Sequence, residues 1–385
     1  MTTEAPSLRQ MLEALIATPS VSSSRPDRDQ SNRPVLDLLA NWLAGLGFRI
    51  EIVELPGRPG KFNMIATLGQ GADGLVLSGH ADTVPYDRHL WHSDPFELTE
   101  TDGRLYGLGT ADMKSFFAIA IEAVRGLKAE ALKHPLVILA TADEESAMHG
   151  ARALTEAERN LGRYALIGEP TSLRPVRMHK GVMAEAIRLT GRSGHASDPT
   201  LGRSALEGMH AVLGELLAWR AALKETYRDS AFAIPYPTIN PGFIHGGDNA
   251  NRICGECELH LDLRPLPGLS DQSLRDQLTE RVASVADRHG LEWSVTPLFP
   301  SIPPAATPAD SAIVATAEEL SGHCAEAASF GTEASFFNEM GLDTVILGPG
   351  DIAQAHQPDE YLDAGRIQPM VELLKKLVKR FCVGH

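Results

Sequence analysis

An imidazole and a carboxylate at the end of an apolar run are the first residues that could do chemistry. His80 and Asp82 follow residues 75–79, a run with the composition of a buried strand. In an extended chain, side chains two residues apart point to the same side. Histidine is the commonest metal ligand, and a ligating imidazole usually donates its second ring proton to a carboxylate or a carbonyl. The pair therefore predicts a metal ligand with its partner, although a strand end with a chance polar pair explains these two residues equally well.

Acids and a second histidine follow other predicted strands in the same way. These candidates are Asp112 after residues 104–108, Glu144 and Glu145 after 135–141, Glu169 after 164–168, and His356 in the loop after 344–347. In an open α/β sheet, ligands bind at the carboxyl ends of the strands, so we expect these side chains to meet at one rim. Several crowded carboxylates repel one another unless cations neutralise them. The spacing therefore predicts a cation site at this rim.

The mixture of imidazole and carboxylate ligands indicates which cations would suit this rim. It fits zinc, cobalt or manganese better than calcium or magnesium, which prefer oxygen ligands alone. Two such metals can share a carboxylate and a hydroxide, and they lower the pKa of bound water to about 7. The predicted chemistry is therefore hydrolysis by an activated water at neutral pH.

The elements that must position these residues fall into two patterns. Residues 1–176 alternate apolar strands with helices, which predicts an α/β domain with a helix-covered, mostly parallel sheet. After about residue 176 the strands alternate cleanly between apolar and polar residues, as in a sheet with one wet face. We therefore predict one domain from residues 1–176 and 290–385, interrupted by a two-layer α+β insert from residues 177–289.

Composition supports two domains and excludes several functions. A chain of 385 residues is too long for one ordinary core. Its formal net charge of −15 argues against broad electrostatic binding of nucleic acid or of an anionic membrane. No apolar run has the roughly 20 residues of a membrane span, and residues 1–6 lack the features of a secretion signal. The expected location is therefore the cytoplasm.

Cysteines do not predict a second metal site or a disulfide framework. The four cysteines are too few and too scattered for a framework of disulfides. Cys254 and Cys257 form a C-x-x-C, but they lie in a segment, 252–264, whose alternation predicts a strand. An odd spacing in a strand sends the two sulfurs to opposite faces, which argues against a thiolate site there.

Five stretches of the sequence resemble motifs of the M20 family of co-catalytic zinc amidohydrolases. They read GHADTVP at 79–85, YGLGTADMK at 106–114, ADEE at 142–145, IGEPT at 167–171 and AHQPDE at 355–360. Five more resemble the branch of that family that deacetylates N-acetyl amino acids: DQSN at 29–32, KFNM at 61–64, HGGD at 245–248, NRIC at 251–254 and RPLPG at 264–268. The resemblance runs nearly end to end, and it is more specific to the family than to a substrate.

The resemblance implies a role for each candidate position. The implied metal ligands are Asp112 as a bridge, His80 with Glu169 at one site, and Glu145 with His356 at the other. Asp82 would orient His80, and Glu144 would be the general base. His195 would donate a hydrogen bond to the tetrahedral oxyanion, although without the resemblance a solvated loop histidine is the simpler interpretation.

A second set of residues is implied to bind the carboxylate of the substrate. These residues are Lys180, Asn251, Arg264 and Thr332. Arginine suits bidentate binding of a carboxylate, yet Arg264 ends a predicted strand and could equally be a surface charge. The inserted domain is implied to serve as a lid and as the contact surface of a homodimer.

The implied reaction is hydrolysis of the amide bond of N2-acetyl-L-ornithine to L-ornithine and acetate, a step of arginine biosynthesis. The implied cofactors are two divalent metals per subunit, Zn²⁺ or Co²⁺. Related substrates stay open, namely N-acetylcitrulline, succinyl-diaminopimelate, other N-acyl amino acids or a dipeptide. A non-catalytic binding protein with the same fold also stays open, but it predicts a missing ligand or base, and here all five ligands and Glu144 are present.

Overall fold

The computed structural model describes residues 5–384 and divides the chain into two compact units. Unit 1 comprises Met1–Arg177, Ala306–Glu326 and Thr332–His385, and unit 2 comprises Met178–Ala305 and Ala327–Gly331. Residues 1–4 and residue 385 lie outside the described residues. Residues 1–4 belong to the segment predicted to lack the features of a secretion signal, and residue 385 is the last residue of the predicted α/β domain.

Strands occur throughout the chain. In chain order they are β1 (Arg49–Glu54), β2 (Phe62–Leu68), β3 (Leu75–His80), β4 (Thr99–Thr101), β5 (Arg104–Tyr106), β6 (Leu136–Thr141), β7 (Tyr164–Ile167), β8 (Val176–His179), β9 (Met183–Thr190), β10 (Thr238–Gly246), β11 (Glu256–Arg264), β12 (Glu292–Pro297), β13 (Ala305–Ala306), β14 (Glu326–Ala328), β15 (Asp343–Ile346) and β16 (Tyr361–Asp363). The short strands β8, β13 and β14 lie where the chain passes from one unit to the other.

Helices separate most of these strands. In chain order they are α1 (Leu8–Ile16), α2 (Arg33–Gly45), α3 (Lys114–Val124), α4 (Glu144–Ala147), α5 (His149–Glu156), α6 (Ala205–Thr226), α7 (Asp271–Arg288), α8 (Ala312–Ser321), α9 (Ala334–Glu339) and α10 (Ile367–Val378). Within the described residues, no helix is long and apolar enough to cross a membrane.

The main sheet of unit 1 has parallel strands at its centre. The order is β1-β2-β6-β3-β7-β15, continuing with β8 and β13. β3 pairs in parallel with both β6 and β7, and β7 pairs in parallel with β15, whereas β1, β2 and β8 pair antiparallel. The carboxyl ends of these four central strands therefore meet at one rim.

Burial explains why these particular residues form the central strands. Every residue of β3 and β6 is buried, as expected for a sheet that is covered on both faces. α2, α3, α8 and α9 pack against strands of this sheet, and almost all of α3 is buried. A separate small sheet, in the order β16-β5-β4, leads into the loop that contains Asp112.

Unit 2 is an antiparallel sheet packed against two helices. Its strand order is β10-β11-β9-β12, and α6 and α7 pack against each other and against the strands. Along β11, Cys257 and every second residue after it are buried, while the residues between them are half-buried. This alternation places one face on the helices and leaves the other face polar, so the insert has two layers.

The predicted fold class is confirmed: the chain is an α/β protein with a mostly parallel central sheet and a separate antiparallel sheet. The division between the units differs from the predicted boundary at 289/290, because β12 pairs with β9 and keeps the chain in unit 2 up to Ala305. β10 is absent from the sequence-based assignment, and β11 begins at Glu256 rather than at residue 252.

Candidate metal site

His80 and Asp112 lie in contact at the rim of the unit 1 sheet. His80 is the last residue of β3, and 1% of it is exposed. Its Nε2 is 3.0 Å from Asp112 Oδ1, and its Nδ1 is 3.0 Å from the backbone oxygen of Asp82. The second ring nitrogen thus contacts a carbonyl, which leaves Nε2 as the nitrogen directed at the acid cluster.

Asp112 also approaches the second predicted imidazole. His356 Nε2 is 3.4 Å from Asp112 Oδ2 and 3.0 Å from Glu145 Oε2. One carboxylate oxygen of Asp112 therefore faces His80 and the other faces His356. This is the arrangement that a bridging carboxylate requires, since its two oxygens must point to two different centres.

Glu144 and Glu169 complete the cluster on the other side of His80. Single ligand atoms of His80, Glu144 and Glu169 all lie within 4.8 Å of one another. The same holds for single ligand atoms of His80, Asp112 and Glu145. The structure thus brings together the five predicted ligands and the predicted base, although they are spread over nearly three hundred residues of sequence.

Burial and the neighbouring acids perturb the ionisation of this cluster. Burial raises the pKa of Glu169, and the nearby charge of Asp112 adds to the effect. Burial also raises the pKa of Glu144 and that of Glu145. For Asp112 the hydrogen bonds from His356 and His80 outweigh burial, so that its pKa is lowered.

The pKa values of the two imidazoles are raised by the carboxylates around them. Burial acts to lower the pKa of His80, but Asp112 and the other carboxylates raise it well above its usual value. Hydrogen bonds to Asp112 and Glu145 raise the pKa of His356 to about 10. Both imidazoles are therefore held as cations by the acids in the metal-free protein.

This charge balance is a test of whether the residues fit a pair of metals. Three carboxylates, those of Asp112, Glu145 and Glu169, and two imidazoles are a donor set suited to zinc or cobalt. Glu145 Oε1 is buried and has no hydrogen-bond partner among the described residues, so it is a donor atom that the protein itself leaves unused. The donor chemistry fits two divalent cations, which would displace the ring protons and relieve the repulsion between the acids.

Asp82 contacts the site through two different groups. Its backbone oxygen faces His80, whereas its carboxylate oxygen lies 3.8 Å from His80 Nδ1. The same carboxylate accepts the backbone N–H groups of Glu144 at 3.3 Å and of Glu145 at 3.2 Å. Asp82 therefore holds the start of α4, which presents the predicted base and one ligand, as well as lying beside the imidazole.

Glu360 is a buried acid at the end of the AHQPDE stretch, and the resemblance implies no role for it. Its carboxylate accepts backbone N–H groups of Gly109 at 3.1 Å, Ala111 at 2.7 Å and Asp112 at 3.0 Å. Burial raises the pKa of Glu360 to about 8, against the effect of these hydrogen bonds. Because Glu360 lies four residues after His356, it connects the two loops that supply His356 and Asp112.

Glu333 is a second buried acid that sequence reasoning missed. It is 1% exposed and its Oε2 accepts a hydrogen bond of 2.9 Å from the Thr141 hydroxyl. Burial raises the pKa of Glu333 to about 7, and the charge of His80 opposes this shift. The only available signal was its position next to Thr332, because a single acid in a loop has no informative spacing.

Unit 2 contains three of the predicted substrate-binding residues and His195. His195 Nδ1 lies 2.7 Å from Ser197 Oγ, and His195 forms an isolated β-bridge with Arg252. The backbone oxygen of Asn251 accepts the N–H of Ala196 at 2.9 Å. The structure therefore places His195 and Asn251 on two adjoining segments, both exposed.

Lys180 and Arg264 form a cationic pair elsewhere in unit 2. Lys180 is 3% exposed, and its Nζ donates to the backbone oxygen of Tyr236 at 2.7 Å. Burial lowers the pKa of Lys180, and the charge of Arg264 adds to this effect. Arg264 ends β11 and contacts Asp262 with both Nε and Nη2, at 2.8 and 2.9 Å.

Thr332, the fourth predicted substrate-binding residue, belongs to unit 1. It is 1% exposed, and its hydroxyl oxygen accepts the N–H of Ala334 at 3.2 Å, immediately before α9. This contact is typical of a side chain that supports the start of a helix.

Comparisons with known proteins agree with this geometry. The sequence profile of peptidase family M20/M25/M40 matches residues 76–380. The chain belongs to this family. It is therefore a metal-dependent hydrolase.

Individual relatives match over the whole chain. An acetylornithine deacetylase of Proteus mirabilis is 51% identical over all 385 residues, which covers 99% of that protein. An acetylornithine deacetylase of Pasteurella multocida is 50% identical over 379 residues, or 98% of this chain and 99% of that protein. Among solved structures, the aminopeptidase PepT from Bacillus cereus has a TM-score of 0.76 at 19% identity and covers 97% of both chains, which shows a shared fold.

Proposed function

We propose that the chain hydrolyses N2-acetyl-L-ornithine to L-ornithine and acetate. The observation that carries this proposal is the identity of about half of all residues, over the full chain, with two relatives that bear the name of this activity. The convergence of His80, Asp112 and Glu145 at one rim supports the hydrolytic chemistry independently of those names.

Two divalent metals are the proposed cofactors, with Zn²⁺ as the first choice and Co²⁺ as the second. The residues proposed to hold them are Asp112 as a bridge, His80 with Glu169, and Glu145 with His356. When bound, the metals would supply a water of lowered pKa and would polarise the acyl carbonyl of the substrate. The contacts of Asp112 with both imidazoles support the bridging role.

Glu144 is proposed as the group that moves the proton. Glu144 is next to the proposed ligand Glu145 in the sequence. One of its carboxylate oxygens, however, lies within 4.8 Å of ligand atoms of His80 and Glu169. Burial raises its pKa, which favours a carboxylate that can accept a proton from the attacking water and hold it. It would then deliver that proton to the amine of ornithine as the amide bond breaks. Asp82 is proposed to position both this base and His80.

His195 is proposed to donate a hydrogen bond to the oxyanion that forms on the acyl carbon. Ser197 occupies its Nδ1, so Nε2 is the nitrogen that remains for this contact. Lys180, Asn251, Arg264 and Thr332 are proposed to bind the substrate carboxylate. The closeness of two cations, Lys180 and Arg264, supports an anion-binding role for that part of unit 2.

A homodimer formed through unit 2 is the proposed assembly, and the cytoplasm the proposed location. β10 lies at one edge of the unit 2 sheet, where Phe243 and Ile244 are 48% and 52% exposed. An edge strand presents unpaired backbone groups, and exposed apolar residues on such a strand favour pairing with another chain. A second copy of the same strand would satisfy both.

The test combines metal analysis with a panel of substrates. Protein stripped with a chelator is reconstituted with Zn²⁺ or Co²⁺. Release of the free amine is then measured with N2-acetylornithine, N-acetylcitrulline, succinyl-diaminopimelate and a dipeptide as separate substrates. We expect no turnover after stripping, two metals per chain after reconstitution, and the highest kcat/KM for N2-acetylornithine. A higher kcat/KM for any of the other three would replace the proposed substrate.

A further inference from the structure

The short helix α4, which contains Glu144 and Glu145, is flanked on both sides by residues with unfavourable backbone angles. Asp143 has φ of +56° and Met148 has φ of +53°, both in the left-handed region that non-glycine residues seldom adopt. A helix of four residues is also too short to be stable by itself. Such a segment persists only when its surroundings hold it in several places.

Lys61 provides one of these supports. Its Nζ lies 2.8 Å from Asp143 Oδ1 and 2.7 Å from Asp29 Oδ1, and its side chain is 5% exposed. Ser22 Oγ donates to the same Asp143 oxygen at 3.0 Å and lies 3.0 Å from Ser146 Oγ inside α4. Burial acts to lower the pKa of Lys61, but Asp143 and Asp29 raise it overall, so the ammonium stays charged.

Ser22 and Asn63 extend this support in two directions. Ser22 donates its backbone N–H to Thr83 at 2.8 Å, one residue beyond Asp82. Asn63, two residues after Lys61, accepts the N–H of Ala142 at 3.2 Å and donates to the backbone oxygen of Gly150 at 2.9 Å. Asn63, at the start of β2, therefore holds the chain on both sides of α4, and Ser22 ties Asp143 to the loop that follows His80.

We propose that Lys61 is a positioning residue that acts through Asp143 to set the orientation of α4, and with it Glu144 and Glu145. This inference rests on the proposed function, because it assumes that Glu145 holds a metal and that Glu144 transfers the proton. Lys61 itself touches neither group. It fixes the left-handed Asp143 by a buried ion pair, and the two residues that follow Asp143 inherit their direction from it.

A buried ion pair with no positional role is the competing explanation, and it predicts a different result. Removing either partner of a buried pair destabilises a protein wherever the pair lies. Loss of stability alone therefore does not distinguish the two explanations. A positioning role predicts in addition that one metal site weakens while the other does not, because Glu145 belongs to one proposed site only.

The experiment compares Lys61→Met with a matched control, Ile313→Ala. Ile313 is fully buried on α8, in the same unit, and is not part of the cluster of acids and imidazoles. Both variants are stripped with a chelator and titrated with Co²⁺, following the heat of binding and the visible absorption of the bound metal. Steady-state kcat and KM are then measured on the reconstituted proteins, and melting temperatures are recorded for both.

We expect Lys61→Met to bind one Co²⁺ as the wild type does and the second about 10- to 100-fold more weakly, the usual effect of losing a residue that orients a ligand. Its kcat should fall by a similar factor at saturating metal, with KM changed less than about threefold because the substrate-binding residues are untouched. Ile313→Ala should melt lower and keep both affinities. Lys61→Arg, which preserves the charge and can reach both carboxylates, should restore most of the lost affinity.

Two further outcomes decide the remaining cases. If Lys61→Met does not fold, Ser22→Ala removes only a hydroxyl from the same Asp143 oxygen and should weaken one Co²⁺ site roughly three- to tenfold. Wild-type affinity for both metals in Lys61→Met or Ser22→Ala, or an equal loss in Ile313→Ala, would overturn the positioning role. A wild-type protein that binds fewer than two Co²⁺ would instead overturn the proposed function, and the inference with it.

Discussion

Replacing Glu333 with glutamine should change the pH dependence of stability by a predictable amount. Glu333 is almost completely buried, and burial raises its pKa from 4.5 to about 7. A carboxyl group whose pKa is higher in the folded state binds its proton more tightly there. It therefore costs no stability below pH 4.5, costs progressively more as the pH rises from 4.5 to 7, and reaches its full cost above pH 7.

The size of the effect follows from these two pKa values. Each tenfold change in proton affinity corresponds to about 1.4 kcal/mol, so the full cost of ionising Glu333 in the folded protein is about 3.5 kcal/mol. About 2.5 kcal/mol of this falls between pH 5 and pH 8. Glutamine cannot ionise, and its amide oxygen can still accept the hydrogen bond of the Thr141 hydroxyl. Glu333→Gln should therefore be more stable relative to the wild type at pH 8 than at pH 5, by about 2.5 kcal/mol.

The assay is urea unfolding of both proteins at pH 5 and pH 8 in the presence of a chelator, followed by circular dichroism. Thr141→Val is the control, because it leaves the carboxyl group but removes a hydrogen bond that lowers the pKa of Glu333. It should therefore keep the fall in stability between pH 5 and pH 8 and enlarge it. Metals at the neighbouring site should reduce the difference, since nearby cations favour the ionised carboxylate. If the two proteins differ in stability by the same amount at both pH values, Glu333 is not a group whose burial raises its pKa, and the reasoning fails.

Three other substitutions test separate parts of the structure. Glu144→Gln should keep both metals and lose about 10²- to 10⁴-fold in kcat, because the amide cannot accept the proton. Kinetics and metal analysis check this, and retained turnover would exclude Glu144 as the base. Gly168→Ala should destabilise the protein by roughly 1–3 kcal/mol, because the new Cβ would lie 2.2 Å from Phe116 Cγ. An unchanged urea midpoint would mean that the Phe116 ring moves without a cost in stability. Ile244→Lys should convert the proposed dimer to a monomer, because it places like charges on two facing copies of β10. Sedimentation velocity on the wild type and the variant would show whether the dimer forms through β10.

The sequence was informative where one strong pattern decided the structure. Buried parallel strands read as continuous apolar runs, and the acids and imidazoles that follow them had to meet once the strands were adjacent. Asp112 is the exception, since it follows a short strand of a different sheet. Its position in the site depends on a loop held by Glu360, a contact across 248 residues that no local pattern encodes.

Weak or interrupted patterns account for the features that were not predicted. β10 has no clean alternation, because Pro241 and Gly242 interrupt it and its register with β11 shifts between Pro241 and Phe243. The boundary at residue 289 followed the end of α7, whereas the fold assigns β12 to unit 2 through its pairing with β9. Lys61 and Glu333 are single charged residues whose partners are distant in sequence, so their roles depend on tertiary structure alone.

The loops at the rim hold one another, and this explains how so many acids can be buried together. The carboxylate of Asp82 accepts the N–H groups that open α4, and the carboxylate of Glu360 accepts the N–H groups of the loop that ends at Asp112. Two of the loops with proposed ligands are thus fixed by a carboxylate from another loop. Backbone N–H groups arranged in this way stabilise some of the negative charge, while one oxygen of the proposed ligand Glu145, Oε1, has no hydrogen-bond partner among the described residues. The two anchoring acids are therefore paired with backbone N–H groups, whereas Glu145, a proposed ligand, keeps an oxygen that could bind a cation.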